Sequence, residues 1–182
     1  MASRSRDLCT WSLNFINLAR FTDQKDHQTL LEAFKNIKDK INFELLIIGY
    51  GNNRTKILKF LKNNNLNDRI KVLSFQKNPY KFLRKSSILI LSSIYEGLPN
   101  VLIEAMDLKK FIIYSNCHTG PKGILNFGKY GYLFKMGNVK DLEKKRLKYK
   151  QNKQTIAMII NGYKSLGRFD EFKNKKIDYN LI

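Results

Sequence analysis

Two carboxylates eight positions apart, Glu96 and Glu104, flank the segment Gly97-Leu98-Pro99-Asn100. Glycine at 97 lets a backbone approach a ligand, and proline at 99 reads as the first residue of a helix from Pro99 to Leu108. The open N–H groups of such a helix start favour an anion. Upstream, Arg20 and Lys25 place two cations in one loop. Arg offers a planar fork to phosphate oxygens and Lys a point charge. Together these groups describe a diphosphate cradle. Glu104, about one turn into the helix, could accept paired hydrogen bonds from ribose hydroxyls, and Glu96 could do the same for a sugar. Two such acceptors beside a cationic diphosphate site are what a nucleotide-sugar requires. Singly the features are weaker. Glu104 also fits a solvated helix position, and Arg20 and Lys25 mean little in so basic a chain. Gly49-Tyr50-Gly51 lacks the third glycine of a dinucleotide fingerprint and reads as a tight turn.

These groups converge only if the chain supplies strand ends to carry them. Phe15 to Ala19, Phe43 to Ile48, Ile70 to Leu73, Ser87 to Ser92, Phe111 to Tyr114 and Gly131 to Phe134 read as strands. Between them, Leu30, Leu31, Ala33, Phe34 and Ile37 share one helical face over Thr29 to Ile37. Ile57, Leu58, Phe60 and Leu61 mark a second helix, and Tyr80 to Leu83 a short third. Continuous apolar strands are those buried on both faces. Their alternation with helices predicts an α/β fold, a doubly wound parallel sheet. Ligands of such sheets bind beyond the carboxyl ends of the strands. Four segments fall there: Ala19 to His27, Gly49 to Arg54, Phe75 to Tyr80 and Ser92 to Asn100.

The ends of the chain read differently. Residues 1–13 match no element and are expected to be an unstructured leader, leaving 14–150 as the ligand-binding domain. Asp141 to Lys150 has an apolar face of only Leu142, Leu147 and Tyr149 and reads as a solvated charge run. Residues 151–182 are expected to hold a helix around Thr155 to Leu166 and a basic tail.

Composition narrows the function classes. The 182 residues carry a net charge of +19, yet 26 Lys, 19 Asn and 19 Ile make up 64 of them. All three have A/T-rich codons, so the basic balance is weak evidence for a polyanion partner. No groove of interleaved Arg and aromatics is visible, and nucleic acid is not expected. Cys9 and Cys117 cannot make a disulfide framework, and with His27 and His118 they offer no metal-ligand spacing. No signal peptide or membrane-length apolar run is present, so a cytoplasmic location is the expectation. Lysines near anionic lipid would add a peripheral contact with the inner membrane surface.

Glu96-Gly-Leu-Pro-Asn-Val-Leu-Ile-Glu104 resembles the Glu-x7-Glu motif of the group 1 (family four) retaining glycosyltransferases. Leu18 to His27, Ile47-Ile-Gly-Tyr-Gly51 and Ser115 to Pro121 resemble flanking segments of that family, in its order and spacing, from about Phe15 to Phe134. The resemblance implies a Rossmann-like domain, the donor-binding C-terminal half of a GT-B enzyme. Arg20 and Lys25 would hold the diphosphate, and Gly97, Leu98, Pro99 and Asn100 would line phosphate and sugar. Glu96 would contact the sugar hydroxyls as the candidate catalytic residue, and Glu104 the ribose. Gln76, Asn78 and Tyr80 would flank the base, most often uracil. No cofactor or metal is implied; the nucleotide-sugar is the substrate. Ala19 replaces the usual Gly before Arg20, and Gly123 stands where Glu usually follows Gly-Pro-x. The acceptor-binding half is expected to be absent, which makes an acceptor-domain chain encoded nearby a partner to look for. The alternatives are a catalytically silent nucleotide-sugar-binding module and, less favoured, a polyanion-binding protein.

Overall fold

The computed structural model describes residues 15–117, 120–149 and 151–169. Six strands form one parallel sheet: β1 (Phe15–Leu18), β2 (Leu45–Ile48), β3 (Ile70–Leu73), β4 (Ile88–Leu91), β5 (Phe111–Ser115) and β6 (Tyr132–Phe134). Their order across the sheet is β3-β2-β1-β4-β5-β6. The helices are α1 (His27–Ile37), α2 (Arg54–Asn63), α3 (Tyr80–Lys85), α4 (Asn100–Asp107), α5 (Pro121–Ile124), α6 (Val139–Lys148) and α7 (Lys153–Lys164). The doubly wound α/β reading therefore stands.

The strands are apolar on both faces because both faces are covered. Phe15, Leu45, Ile47, Ile88, Ile90 and Ile113 join the core under α1 and α2, with Leu30, Phe34, Ile57 and Leu61. The alternate residues Ile16, Leu46, Leu89, Leu91 and Ile112 join the core under α3 and α4, with Leu83, Leu102 and Met106. This is the two-residue period of a strand expressed twice.

Chain order reverses between β1 and β4, where an open sheet leaves a crevice at its carboxyl edge. The ladder shows it. β1 pairs with β2 over four residues but with β4 over only two, Phe15 with Ile88 and Ile16 with Leu89. Beyond that point the buried Asn17 reaches across instead, its side-chain amide donating to the Ile90 carbonyl at 2.8 Å. A side chain thus replaces ladder bonds that the diverging strands no longer make.

Three expectations need correction. The second strand starts at Leu45, not Phe43, whose ring packs instead edge-on against Phe34 in the core. Pro99 is the N-cap of α4 and not its first residue: its ψ of 91° is extended, so the helix begins at Asn100. The charge run after Asn138 is not merely a solvated face. It forms α6, which docks beside α1 with Leu142 fully buried, while Leu147, expected on its apolar face, is exposed. The Arg146 guanidinium lies 4.3 Å from the Phe15 ring centroid, and Tyr149 tilts against Phe111. The long stem of Arg covers apolar surface although its type reads as polar. Burial pulls the Arg146 guanidinium down to about 10, still protonated at neutral pH. The proposed leader, and the tail beyond residue 169, lie outside the described residues.

Candidate functional site

The loops after β1 and β4 face each other across the crevice and are stitched together. The Ile94 amide donates to the Gln24 carbonyl at 2.8 Å, and the Gln24 side chain returns a bond to the Tyr95 carbonyl at 2.9 Å. The Ser92 hydroxyl donates to the Lys25 carbonyl at 2.9 Å. Lys25 closes a 3-10 turn, Asp23–Lys25, and its ammonium pairs with Glu96 Oε1. Both side chains of the pair are mostly buried, so the attraction is less screened than at an open surface. The Ser93 hydroxyl donates to the same Glu96 oxygen at 2.7 Å. Beneath them, the Tyr114 phenol is pushed upward by burial and then by the Glu96 charge.

Arg20 is solvent-exposed at the end of β1. The two cations predicted for one cradle are thus unlike: Arg20 faces water, whereas Lys25 already holds a carboxylate. Gly97 and Leu98 are exposed, Pro99 is buried, and Asn100 is exposed at the first turn of α4. A Cβ built on Gly97 would meet nothing within 4 Å, so open space lies above this backbone. Glycine is required opposite it. At Gly120, φ is +85° and a Cβ would stand 2.1 Å from the Gly97 carbonyl oxygen. The start of α4 has neither a side-chain cap nor an acidic residue in its first turn. Its N–H groups therefore present the positive end of the helix to that space.

Glu104 and Tyr80, predicted to serve ribose and base, are hydrogen-bonded to each other: the Tyr80 hydroxyl donates to Glu104 Oε1 at 2.8 Å. Burial raises the Glu104 carboxyl above its ordinary range, and the Tyr80 bond opposes that rise. Asn78 accepts from the Tyr80 amide at 3.1 Å, which sets the start of α3. Gln76 bonds backward to the Ser74 and Phe75 carbonyls. Near this loop, the exposed rings of Tyr50 and Phe75 meet edge-on, their centroids 5.8 Å apart.

The Gly49-Tyr50-Gly51 turn behaves as a packing element. A Cβ on Gly49 would fall 1.9 Å from the Ala19 carbonyl oxygen, because the loop after β1 crosses directly over it. His27, at the first position of α1, is buried against Phe21 with both ring nitrogens unpartnered. Burial, reinforced by Lys25, lowers it to about 4, so it is neutral and no phosphate-binding cation. A cavity of about 320 Å³ between the starts of α1 and α2 is lined by Thr22, His27, Asn53 and Lys56. None of the predicted site residues lines it; the chemistry-bearing groups sit in the open crevice instead. His118 and Thr119 lie outside the described residues.

Sequence reasoning placed Gln24, Ser92, Ser93 and Ser115 in the site segments but gave none of them a role. The available signal was a pair of serines directly after a four-residue apolar strand, where two buried hydroxyls must find partners.

A doubly wound α/β architecture with a switch-point crevice is thereby defined. Residues 12–165 match the family described as "Glycosyl transferases group 1", and the chain belongs to that family. It is 38% identical over 144 residues to an uncharacterized glycosyltransferase of Methanocaldococcus jannaschii, covering 71% of this chain and 36% of that protein. It is 25% identical over 159 residues to a Campylobacter jejuni enzyme named N-acetylgalactosamine-N,N'-diacetylbacillosaminyl-diphospho-undecaprenol 4-alpha-N-acetylgalactosaminyltransferase, covering 82% of this chain and 43% of that one. Among solved structures, a point mutant of Staphylococcus aureus TarM in complex with fondaparinux, alpha-GlcNAc-glycerol and UDP superposes with a TM-score of 0.78. Its sequence identity is 22%, with coverage of 90% of this chain and 35% of that chain. That likeness shows the GT-B type of fold. The chain thus spans well under half the length of these proteins. Among the described residues, no helix is long and apolar enough to cross a membrane.

Proposed function

We propose that the chain binds the nucleotide-sugar donor, UDP-linked, of a retaining glycosyltransferase. With an acceptor-binding half it would transfer a hexose-type sugar to a surface glycan or lipid-linked acceptor. One observation carries the reading: Lys25, Glu96 and the uncapped start of α4 meet at one crevice, with Glu104 farther along α4 and bonded to Tyr80 of α3. The ammonium, joined by Arg20, and the α4 N–H groups hold the diphosphate. Glu104 accepts from the ribose hydroxyls, the Gln76 to Tyr80 loop borders the base, and Glu96 accepts from the sugar. Further support comes from two relatives. The Campylobacter jejuni enzyme is named for an undecaprenol-linked acceptor, and TarM was solved with UDP. A cytoplasmic site of action, with lysines resting on anionic lipid, fits such an acceptor.

Retaining transfer needs a cleft that excludes water and holds donor and acceptor in register. The crevice is open above Gly97. We therefore expect donor binding by this chain alone and transfer only beside an acceptor-binding partner. Titration calorimetry with UDP, UMP and uridine tests the donor site: affinity should fall in that order. Equal binding of all three would refute the diphosphate cradle. Multiple turnover by the purified chain, with UDP-sugars and lipid extract, would refute the need for a partner.

A further inference from the structure

Glu96 Oε1 takes two hydrogen bonds of different kinds. One comes from Lys25, across the crevice; the other comes from Ser93, in the same loop as Glu96. Their supports differ. Lys25 carries its charge on a flexible four-carbon stem. Ser93 is 1% exposed, has a single-carbon stem, and its own carbonyl accepts the hydroxyl of the fully buried Ser115 at the end of β5.

A bound diphosphate treats these two donors unequally. Its negative charges compete with Glu96 for the ammonium, and the long stem lets the ammonium follow them. The Ser93 hydroxyl is neutral and buried, on a residue whose backbone carbonyl is tied to β5, so it has no reason to leave. A carboxylate stripped of its cation would sample several rotamers, and ordering it again would oppose sugar binding. We propose, resting on the assignment of Glu96 to the donor sugar, that Ser93 is a positioning residue. It keeps Glu96 aimed at the sugar once the diphosphate has drawn Lys25 away. In the ligand-free protein Glu96 is then the stand-in anion for Lys25, and Ser93 is a contact that persists through the exchange.

The test is calorimetry on the full chain with UDP and with UDP-glucose, UDP-galactose and their N-acetylated forms. The sugar nucleotide with the largest gain over UDP serves as the probe. Ser93→Ala should leave UDP affinity within about twofold and cut the sugar-dependent gain about tenfold or more, as expected for a lost hydrogen bond to a charged group. Ser93→Thr, which keeps the hydroxyl, should restore most of the gain. If Glu96→Gln abolishes the gain while Ser93→Ala preserves it, Ser93 does not position Glu96, although Glu96 still meets the sugar. If the wild type shows no gain, or Glu96→Gln keeps it, the assignment of Glu96 falls and this inference falls with it. A parallel loss of UDP affinity and melting temperature in Ser93→Ala would mark a purely structural role and overturn the proposal.

Discussion

Helices α1 and α4 both rise from the carboxyl edge of the sheet, one on each side of the chain reversal, and their first turns are built in opposite ways. At α1, Asp26 accepts from the Thr29 amide at 3.1 Å, its own backbone held at a φ of 43°. Behind it the neutral His27 ring is sealed against Phe21. At α4 there is no cap, no acid in the first turn, and open space above Gly97. Away from the crevice, α6 and α7 are capped by Asn138 and Asn152, the latter in a full capping box. A missing cap ordinarily costs about 1 kcal/mol. Its absence at α4 leaves N–H groups available to a ligand, whereas α1 has spent them on stability.

The largest expected effect lies at α1. His27 is lowered from 6.5 to about 4, so the unfolded chain binds the proton more readily. The stability this group contributes is complete above about pH 6.5 and is lost as pH falls toward 4, about 3 kcal/mol in all. Urea unfolding of His27→Phe against the wild type across that window should show a shallower decline. Identical slopes would mean that His27 is hydrated or paired in solution.

The next effect inverts the contrast at α4. Asn100→Asp puts an acid into the exposed first turn. It should weaken UDP binding by about tenfold or more through repulsion of the diphosphate. Stability should stay level or rise by about 0.3–1 kcal/mol through the helix dipole. A variant that binds UDP as the parent does would place the diphosphate elsewhere. Asp26→Ala is the converse. It should cost about 1 kcal/mol in chemical denaturation and change UDP affinity less than about twofold. A large binding defect there would show that α1 also serves the ligand. The smallest change is the least intuitive: Glu96→Gln removes the competing anion, so UDP alone should bind a few-fold tighter, on the order of 0.5–1 kcal/mol. Weaker UDP binding in calorimetry would mean the pair does not have to open.

The sheet was legible because the strand residues are apolar on both faces, and Leu45 to Ile48 or Ile88 to Leu91 admit few other readings. The crevice residues were legible as types. Gly97, Glu104 and Lys25 carry their chemistry wherever the fold places them. Their partners were not. Lys25 and Glu96 are 71 positions apart, and their pairing depends on β1 and β4 being neighbours, which no local pattern states. The docking of α6 was hidden for a different reason. Arg146 and its lysine neighbours count as polar in any periodicity, yet the stem of Arg146 is what lies on Phe15.

The position of β1 has a consequence for synthesis. It is the first of the six sheet strands made, yet its second neighbour, β4, comes only after β2 and β3, and the side chain over Phe15 comes from α6. At roughly 10 residues per second, Phe15 waits on the order of ten seconds for Arg146 to emerge from the ribosome. Until β4 follows, one side of β1 is an apolar edge available to other chains. Asn17 is the one polar side chain in the strand, and it lies on the stretch that never completes the ladder with β4. The net charge of +19 over these 182 residues keeps such edges apart while the sheet is unfinished.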